Sequence, residues 1–272
     1  MYKLIALDMD GTLLKDDRTI SKETFKAIQR AKAKGVKVVL STGRPMIGIK
    51  NYLKQLDLVN EDDYAVAYNG ALVQNTKTGR IVAQNPMTLE DLNYLYDLSK
   101  KLEVNIHFLT DSSCVTPKWS KYSQVECDIN NIPMEIVDFT KIDENTSIVK
   151  IMFIDEPHIL DRVINQLPEE VYNKFSVLRS APYFLEFLNK KVNKGYGIEL
   201  LAKTLGIKRE EIICVGDAGN DIAMIQFAGL GVAMGNAFPE VKDIADYVTL
   251  SNEEHGVAHV INKFVLGIEK AS

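Results

Sequence analysis

Short apolar runs alternate with amphipathic segments over the first third of the chain, the pattern of βαβ units whose parallel strands are buried on both faces. Residues 4–7 read as a strand. Ser21 caps a helix through about residue 34, where Lys32 and Lys34 suit the negative end and Gly35 supplies a left-handed stop. Residues 36–40 form a second strand, 46–56 a helix and 64–68 a third strand. The last third repeats the rhythm: a helix over 194–205, a strand over 211–215 and a helix over 221–228. Strands at 230–233 and 247–249 and a terminal helix near 256–266 complete it. In between, a polar turn at 75–80 separates two short extended runs. A helix over 88–102 and strands over 104–109, 148–154 and 183–188 then follow at α+β spacing. The pattern predicts an α/β protein. A Rossmann-like parallel-sheet core from residues 1–84 and 189–272 carries an inserted α+β domain at 85–188.

A length of 272 residues makes two domains the first guess and one large domain the second. With 46% hydrophobic and 25% charged residues, disorder is excluded. The 32 basic residues fall short of the 37 acidic ones, for a formal charge of -5, so no global attraction to nucleic acid or an anionic membrane is expected. An anionic ligand must be captured locally. Cys114, Cys127 and Cys214 are too far apart for a C-x-x-C pair, and their odd number argues against a secreted disulfide framework. The apolar run ahead of Asp8 is too short for a signal peptide, and the longest uncharged stretch, 222–239, is broken by Gln226, three glycines and Asn236. A cytoplasmic location is expected.

Three apolar runs end abruptly in polar groups: Leu7 before Asp8-Met9-Asp10-Gly11-Thr12, Leu40 before Ser41-Thr42-Gly43-Arg44, and Val215 before Gly216-Asp217-Ala218-Gly219-Asn220-Asp221. Each alone reads as a polar turn. At equivalent ends of parallel strands, however, the three can share the crevice where open α/β sheets bind ligands. Asp8 and Asp10, two apart on extended chain, leave on one face. With Asp217 and Asp221 they would place four negative charges together, which a divalent cation, Lys194 and Arg44 would balance. Oxygen donors and a phosphate to complete the shell point to Mg²⁺.

Rival motifs fail on the same residues. A calcium loop needs Gly where Leu13 stands and Glu where Thr19 stands, and a P-loop needs a Gly-Lys dipeptide the chain lacks. Gly229, Gly231 and Gly235 depart from the dinucleotide spacing, and His255 and His259 lack the Glu of H-E-x-x-H, which leaves a surface helix start. Cys214 lies within a strand and reads as a small buried hydrophobe.

The segments 8–12, Thr42-Gly43-Arg44, Lys194-Gly195 and Gly216-Asp217 with Asn220-Asp221 resemble the four ordered motifs of the haloacid dehalogenase-like phosphohydrolases. Tyr68-Asn69-Gly70-Ala71 and the stretch 180–186 resemble the Cof-type branch with its large C2-type cap. Over nearly its full length the chain is most similar to the YidA-type sugar phosphatases of bacteria. The resemblance implies a two-step phosphoryl transfer in which Asp8 is the nucleophile and Asp10 the acid and then the base, held in place by Gly11 and Thr12. It places Mg²⁺ on the Asp8 carboxylate, the Asp10 main-chain carbonyl and Asp217, with Asp221 tethering its waters or orienting Lys194. Phosphate oxygens would be bound by Met9, Thr42, Gly43, Lys194 and Asn220, with Arg44 adding a donor or touching the substrate.

His107, Trp119, Tyr122 and Glu186 are the residues of the insertion considered for substrate contact, with packing or ordinary surface as the competing reading. The expected partner is a small phosphorylated molecule, with neither nucleic acid nor membrane, and a homodimer is allowed. Three function classes fit: a Mg²⁺-dependent phosphatase, a phosphomutase on the same scaffold, and a non-catalytic sugar-phosphate sensor. Release of inorganic phosphate separates the first two. The joint presence of Asp8, Asp10 and Lys194 speaks against the third.

Overall fold

The computed structural model describes residues 1–130 and 132–268. The last four positions of the expected core segment 189–272 lie outside them. In chain order the elements are β1 (Leu4–Leu7), α1 (Lys22–Ala33), β2 (Lys37–Ser41), α2 (Met46–Gln55), β3 (Tyr64–Ala67), β4 (Leu72–Asn75), β5 (Ile81–Gln84) and α3 (Leu89–Lys101). There follow β6 (Asn105–Leu109), β7 (Cys114–Thr116), α4 (Lys121–Asn130), β8 (Met134–Ile136), β9 (Lys150–Ile154), α5 (Pro157–Gln166), α6 (Glu169–Lys174), β10 (Phe175–Ala181) and β11 (Phe184–Asn189). The chain closes with α7 (Lys194–Leu205), β12 (Ile212–Gly216), α8 (Ile222–Phe227), β13 (Leu230–Ala233), α9 (Pro239–Ile244), β14 (Tyr247–Val248) and α10 (Gly256–Val260), which runs on into a π-helix at Ile261–Leu266.

Contacts divide the chain into two units. The first comprises Met1–Gly43, Ile49–Gln84 and Asn193–Ser272; the second comprises Arg44–Gly48 and Asn85–Val192. The second unit ends at Val192, whose side chain is buried and whose backbone N–H closes a turn on the Asn189 carbonyl (2.8 Å).

The sheet of the first unit runs β14-β13-β12-β1-β2-β3-β4-β5. All neighbours from β14 to β3 are parallel, and β3-β4-β5 are antiparallel. The polar turn at 75–80 thus makes a hairpin that extends the parallel sheet. Every residue of β1 and β12 is buried, because helices cover both faces, and this explains their unbroken apolar runs. Helix α1 starts where Ser21 Oγ accepts the Thr24 N–H (3.1 Å) and stops before Gly35 at φ +79°.

The second unit has a six-stranded sheet, β10-β11-β9-β6-β7-β8, in which only the β7–β8 pair is parallel. One face of that sheet, with Phe108, Ile151, Phe153, Leu185 and Phe187, packs on apolar residues of α3, α5 and α6. Thr88 and Asp91 form a reciprocal capping box at the start of α3.

Candidate active site

Strands β12, β1 and β2 lie side by side, and the chain runs outward from β1 in both directions. Their carboxyl ends therefore open at a topological switch point. Just past β1 the Asp8 N–H still donates to the Val215 carbonyl (3.0 Å), so Asp8 is fixed by the sheet itself. The chain then folds back, with the Leu13 N–H on the Asp8 carbonyl (3.2 Å) and the Leu14 N–H on the Met9 carbonyl (2.9 Å). Gly11 makes this possible. It sits at φ +81°, and a Cβ there would strike the Asp217 carboxylate.

The Thr12 hydroxyl donates to Asp217 Oδ1 (2.6 Å). Thr12 is buried inside the turn, whereas Asp10 is exposed.

Lys194 is the first residue of α7, where Asn193 caps the helix by accepting the Tyr196 N–H (2.8 Å). Its side chain is fully buried, and its ammonium bridges Asp8 Oδ1 and Asp221 Oδ1, the latter at 2.6 Å. The other oxygen of Asp221 accepts the N–H groups of Asp217 (2.9 Å) and Ala218 (3.0 Å). Asp221 thus ties the β12 loop to Lys194. Its burial sets Lys194 apart from the nearby Lys190 and Lys191, which are exposed.

Burial raises the Asp8 carboxyl to about 8, against the pull of the Lys194 ammonium and with the help of the Asp221 carboxylate. Burial likewise raises Asp217 to about 6; the Thr12 hydroxyl opposes this and the Asp221 charge adds to it. Lys194 shifts upward: burial opposes its charge, but Asp8 and Asp221 outweigh that. Among the described residues, Asp8, Asp217 and Asp221 each offer an oxygen within 4.8 Å of the others. Three carboxylates against one ammonium carry a formal excess of two negative charges. A hard divalent cation fits this all-oxygen set in both charge and donor type.

At the end of β2 the Thr42 N–H donates to the Val66 carbonyl (2.9 Å), and the Thr42 carbonyl accepts the Asn69 N–H (2.9 Å). Thr42 and Met9 are buried. Gly43 is pressed against the Asn69 carboxamide, 3.2 Å from where a Cβ would stand. Asn220 Nδ2 donates to Asn69 Oδ1 (3.0 Å). Arg44 is half-buried and groups with the second unit. Asn69 and Asn236 are the residues that sequence did not single out for the site. Asn236 donates from Nδ2 to the Gly11 carbonyl (2.8 Å). The Asn-Gly dipeptide directly after an apolar run was the available signal for Asn69.

Of the residues considered in the insertion, His107 and Glu186 are buried and Trp119 is 61% exposed. His255 and His259 stand at the start of α10, and His259 Nδ1 lies 3.0 Å from Thr249 Oγ1. Among the described residues no helix is long and apolar enough to cross a membrane.

Comparison with known proteins agrees with this geometry. YxeH of Bacillus subtilis (strain 168) is 47% identical over 268 residues, covering 98% of this chain and 99% of that protein. The 5-amino-6-(5-phospho-D-ribitylamino)uracil phosphatase YcsE of the same strain is 34% identical over 265 residues, covering 97% and 96%. The solved structure of the HAD subclass IIB sugar phosphatase BT4131 matches with a TM-score of 0.76 at 28% identity, covering 96% of this chain and 98% of that one. A family model described as haloacid dehalogenase-like hydrolase matches residues 5–261. With that match over most of its length, the chain belongs to the haloacid dehalogenase-like hydrolases and is a phosphoric monoester hydrolase.

Proposed function

We propose that the protein is a Mg²⁺-dependent phosphatase of small phosphorylated metabolites, chiefly sugar phosphates, that works through an aspartyl phosphate. The observation that carries this reading is the buried Lys194 spanning Asp8 and Asp221 beside Asp217 at the carboxyl end of β1. A carboxylate held this rigidly is an aimed nucleophile.

Asp8 attacks phosphorus as the ester P–O bond breaks, and Asp10 delivers a proton to the departing alkoxide. In the second step Asp10 takes a proton from water, the water oxygen attacks phosphorus, and the Asp8–phosphorus bond breaks to release inorganic phosphate. Lys194 holds Asp8 in place and offsets the charge that develops on the phosphoryl oxygens, together with donors from Met9, Thr42, Gly43 and Asn220. Arg44 adds a further donor or contacts the substrate. The Asp8 carboxylate, the Asp10 main-chain carbonyl and Asp217 would hold Mg²⁺, whose charge lets a phosphate dianion enter an acidic crevice. Asp221 orients Lys194. In this reading residues 1–84 and 189–272 are the catalytic core and 85–188 an inserted cap.

The substrate class draws on the named relatives: BT4131 is a sugar phosphatase, and YcsE acts on a phosphoribityl compound. Both descriptions share a phosphate ester on a polyhydroxylated carbon skeleton.

Asp8→Asn is expected to abolish Mg²⁺-dependent hydrolysis of p-nitrophenyl phosphate and of a sugar-phosphate panel while the circular dichroism spectrum stays unchanged. Undiminished turnover in that variant would sink the covalent mechanism. Asp10→Asn is expected to hurt sugar phosphates more than p-nitrophenyl phosphate, whose phenolate needs little protonation. Equal losses on both would remove Asp10 from the acid role. Phosphoryl transfer to a bound sugar without release of inorganic phosphate would identify a phosphomutase instead.

A further inference from the structure

Between β3 and β4 three consecutive residues, Tyr68, Asn69 and Gly70, adopt left-handed backbone at φ +50°, +54° and +98°. Only the last is a glycine. Such a conformation is unfavourable for a residue with a Cβ and persists where its surroundings enforce it, which is most often at functional sites. Tyr68 and Asn69 are both buried. Glycine would hold this backbone at position 69 with less strain and without burying a carboxamide. The side chain of Asn69 must therefore contribute something that glycine would not.

Its contacts show what that is. Asn69 Oδ1 accepts from Asn220 Nδ2 (3.0 Å), which fixes the Asn220 carboxamide and leaves its second N–H to donate elsewhere. The Asn69 N–H holds the Thr42 carbonyl (2.9 Å), and its carboxamide packs where a Cβ on Gly43 would stand. At the next residue, Gly70 lies so close to the Asn193 carbonyl, one position before Lys194, that a Cβ would collide with it. One strained turn thus meets the three chain segments that carry Thr42 and Gly43, Lys194, and Asn220.

We propose that Asn69 is a positioning residue that sets the Asn220 carboxamide and the Thr42–Gly43 backbone in the geometry that receives the phosphate group. The proposal rests on the reading of Asn220, Thr42 and Gly43 as phosphate donors given above.

The test uses Asn69→Gly, Asn220→Ala and the double variant, with inorganic phosphate as a competitive inhibitor of p-nitrophenyl phosphate hydrolysis and with Tm measured in parallel. Asn69→Gly removes the carboxamide but suits the left-handed backbone, so Tm is expected to hold or rise. Phosphate inhibition is expected to weaken about tenfold, the scale of one lost neutral hydrogen bond. Asn69→Gly keeps the backbone N–H that holds the Thr42 carbonyl and loses only the side-chain route through Asn220, so adding it to Asn220→Ala is expected to weaken phosphate by less than about a further twofold. Additive losses, or a fall in Tm without a change in phosphate inhibition, overturn the positioning role. Full phosphate inhibition in Asn69→Gly while Asn220→Ala is impaired also overturns it. Unchanged inhibition in Asn220→Ala instead overturns the cradle reading on which the proposal stands.

Discussion

Each unit of the molecule buries a lysine between two carboxylates, and the two arrangements are not equivalent. In the first unit Lys194 joins Asp8 and Asp221; in the second, Lys150 lies 2.9 Å from Glu186 and 3.4 Å from Glu126. All six side chains are buried. Around Lys150 the negative excess is one charge, Glu186 also accepts the Ser180 hydroxyl (2.6 Å), and the carboxylates come from α4 and a regular strand, β11. Around Lys194 a third carboxylate, Asp217, makes the excess two, and the anions stand just past strand ends, Asp8 before the bend at Gly11 and Asp217 and Asp221 between β12 and α8. A buried ion cluster alone is therefore weak evidence of function. An excess of carboxylates just past strand ends, a charge that a divalent cation would balance, is the stronger sign.

The comparison breaks or holds on removal of the two lysines. Lys194→Met is expected to lower kcat at least about a hundredfold, as loss of a preorganised charge does. Lys150→Met is expected to destabilise the fold by roughly 3 to 5 kcal/mol, the cost of leaving buried carboxylates unpaired, with the kcat of the folded fraction changed less than about twofold. Urea unfolding with and without Mg²⁺ sharpens the contrast. Mg²⁺ should restore part of any stability lost in Lys194→Met, where it can supply the missing charge, and none in Lys150→Met. Rescue of Lys150→Met by Mg²⁺, or loss of its catalysis without loss of stability, would mean that both clusters are active centres.

What could be read in the sequence follows the same division. The parallel strands, with runs such as residues 4–7 and 212–215 ending in aspartates, were legible because burial on both faces leaves an unbroken apolar signal. Helix α3 was legible as an amphipathic segment over 88–102. Strand β7 was not, because three residues, Cys114–Thr116, become a strand only through pairing with β6 and β8. Helix α4 was missed because its buried face includes Ser123, Glu126 and Asn130, polar residues that mask any apolar stripe. Within the site the aspartates and Lys194 were legible as types in order. The partners of Thr12 and Asn69 were not: Asp217 stands 205 positions from Thr12, and Asn220 stands 151 from Asn69.

A smaller effect separates the units by pH. Burial, reinforced by the Lys150 charge, lowers the His107 imidazole from 6.5 to about 3, between Ser123 Oγ (3.1 Å) and Met152 Sδ (3.1 Å). The folded value lies below the unfolded one, so the unfolded chain takes up the proton first. The contribution to stability is complete above pH 6.5 and is lost as pH falls from there towards 3. At about 1.4 kcal/mol per pH unit, the loss reaches roughly 2 kcal/mol by pH 5. Urea unfolding of the wild type and His107→Gln over pH 5 to 7 reads the difference in slope. The Glu126 carboxyl, raised chiefly by burial, acts in the opposite direction in both proteins and cancels in that difference. Parallel slopes would show that His107 is not held neutral.

The smallest test deletes one hydroxyl from each cluster. Thr12 donates to Asp217 and Ser180 to Glu186, both at 2.6 Å and both to a buried carboxylate, although Thr12 is buried and Ser180 exposed. If the two clusters do the same work, Thr12→Val and Ser180→Ala should have the same consequences. Ser180→Ala is expected to cost about 1 to 2 kcal/mol of stability, because Glu186 keeps Lys150 but loses a charge-assisted donor. Thr12→Val is expected instead to raise the Mg²⁺ concentration needed for half-maximal activity about tenfold, because it loosens Asp217, a carboxylate whose worth lies in where it is held. Thr12→Val also takes from Asp217 the donor that favours its charged form, so a stability loss of similar size is expected beside the changed Mg²⁺ dependence. Titration of activity with Mg²⁺ and urea unfolding of both variants decide it. A Mg²⁺ dependence equally altered in Ser180→Ala would erase the distinction between a cluster that stabilises a fold and one that holds a cation.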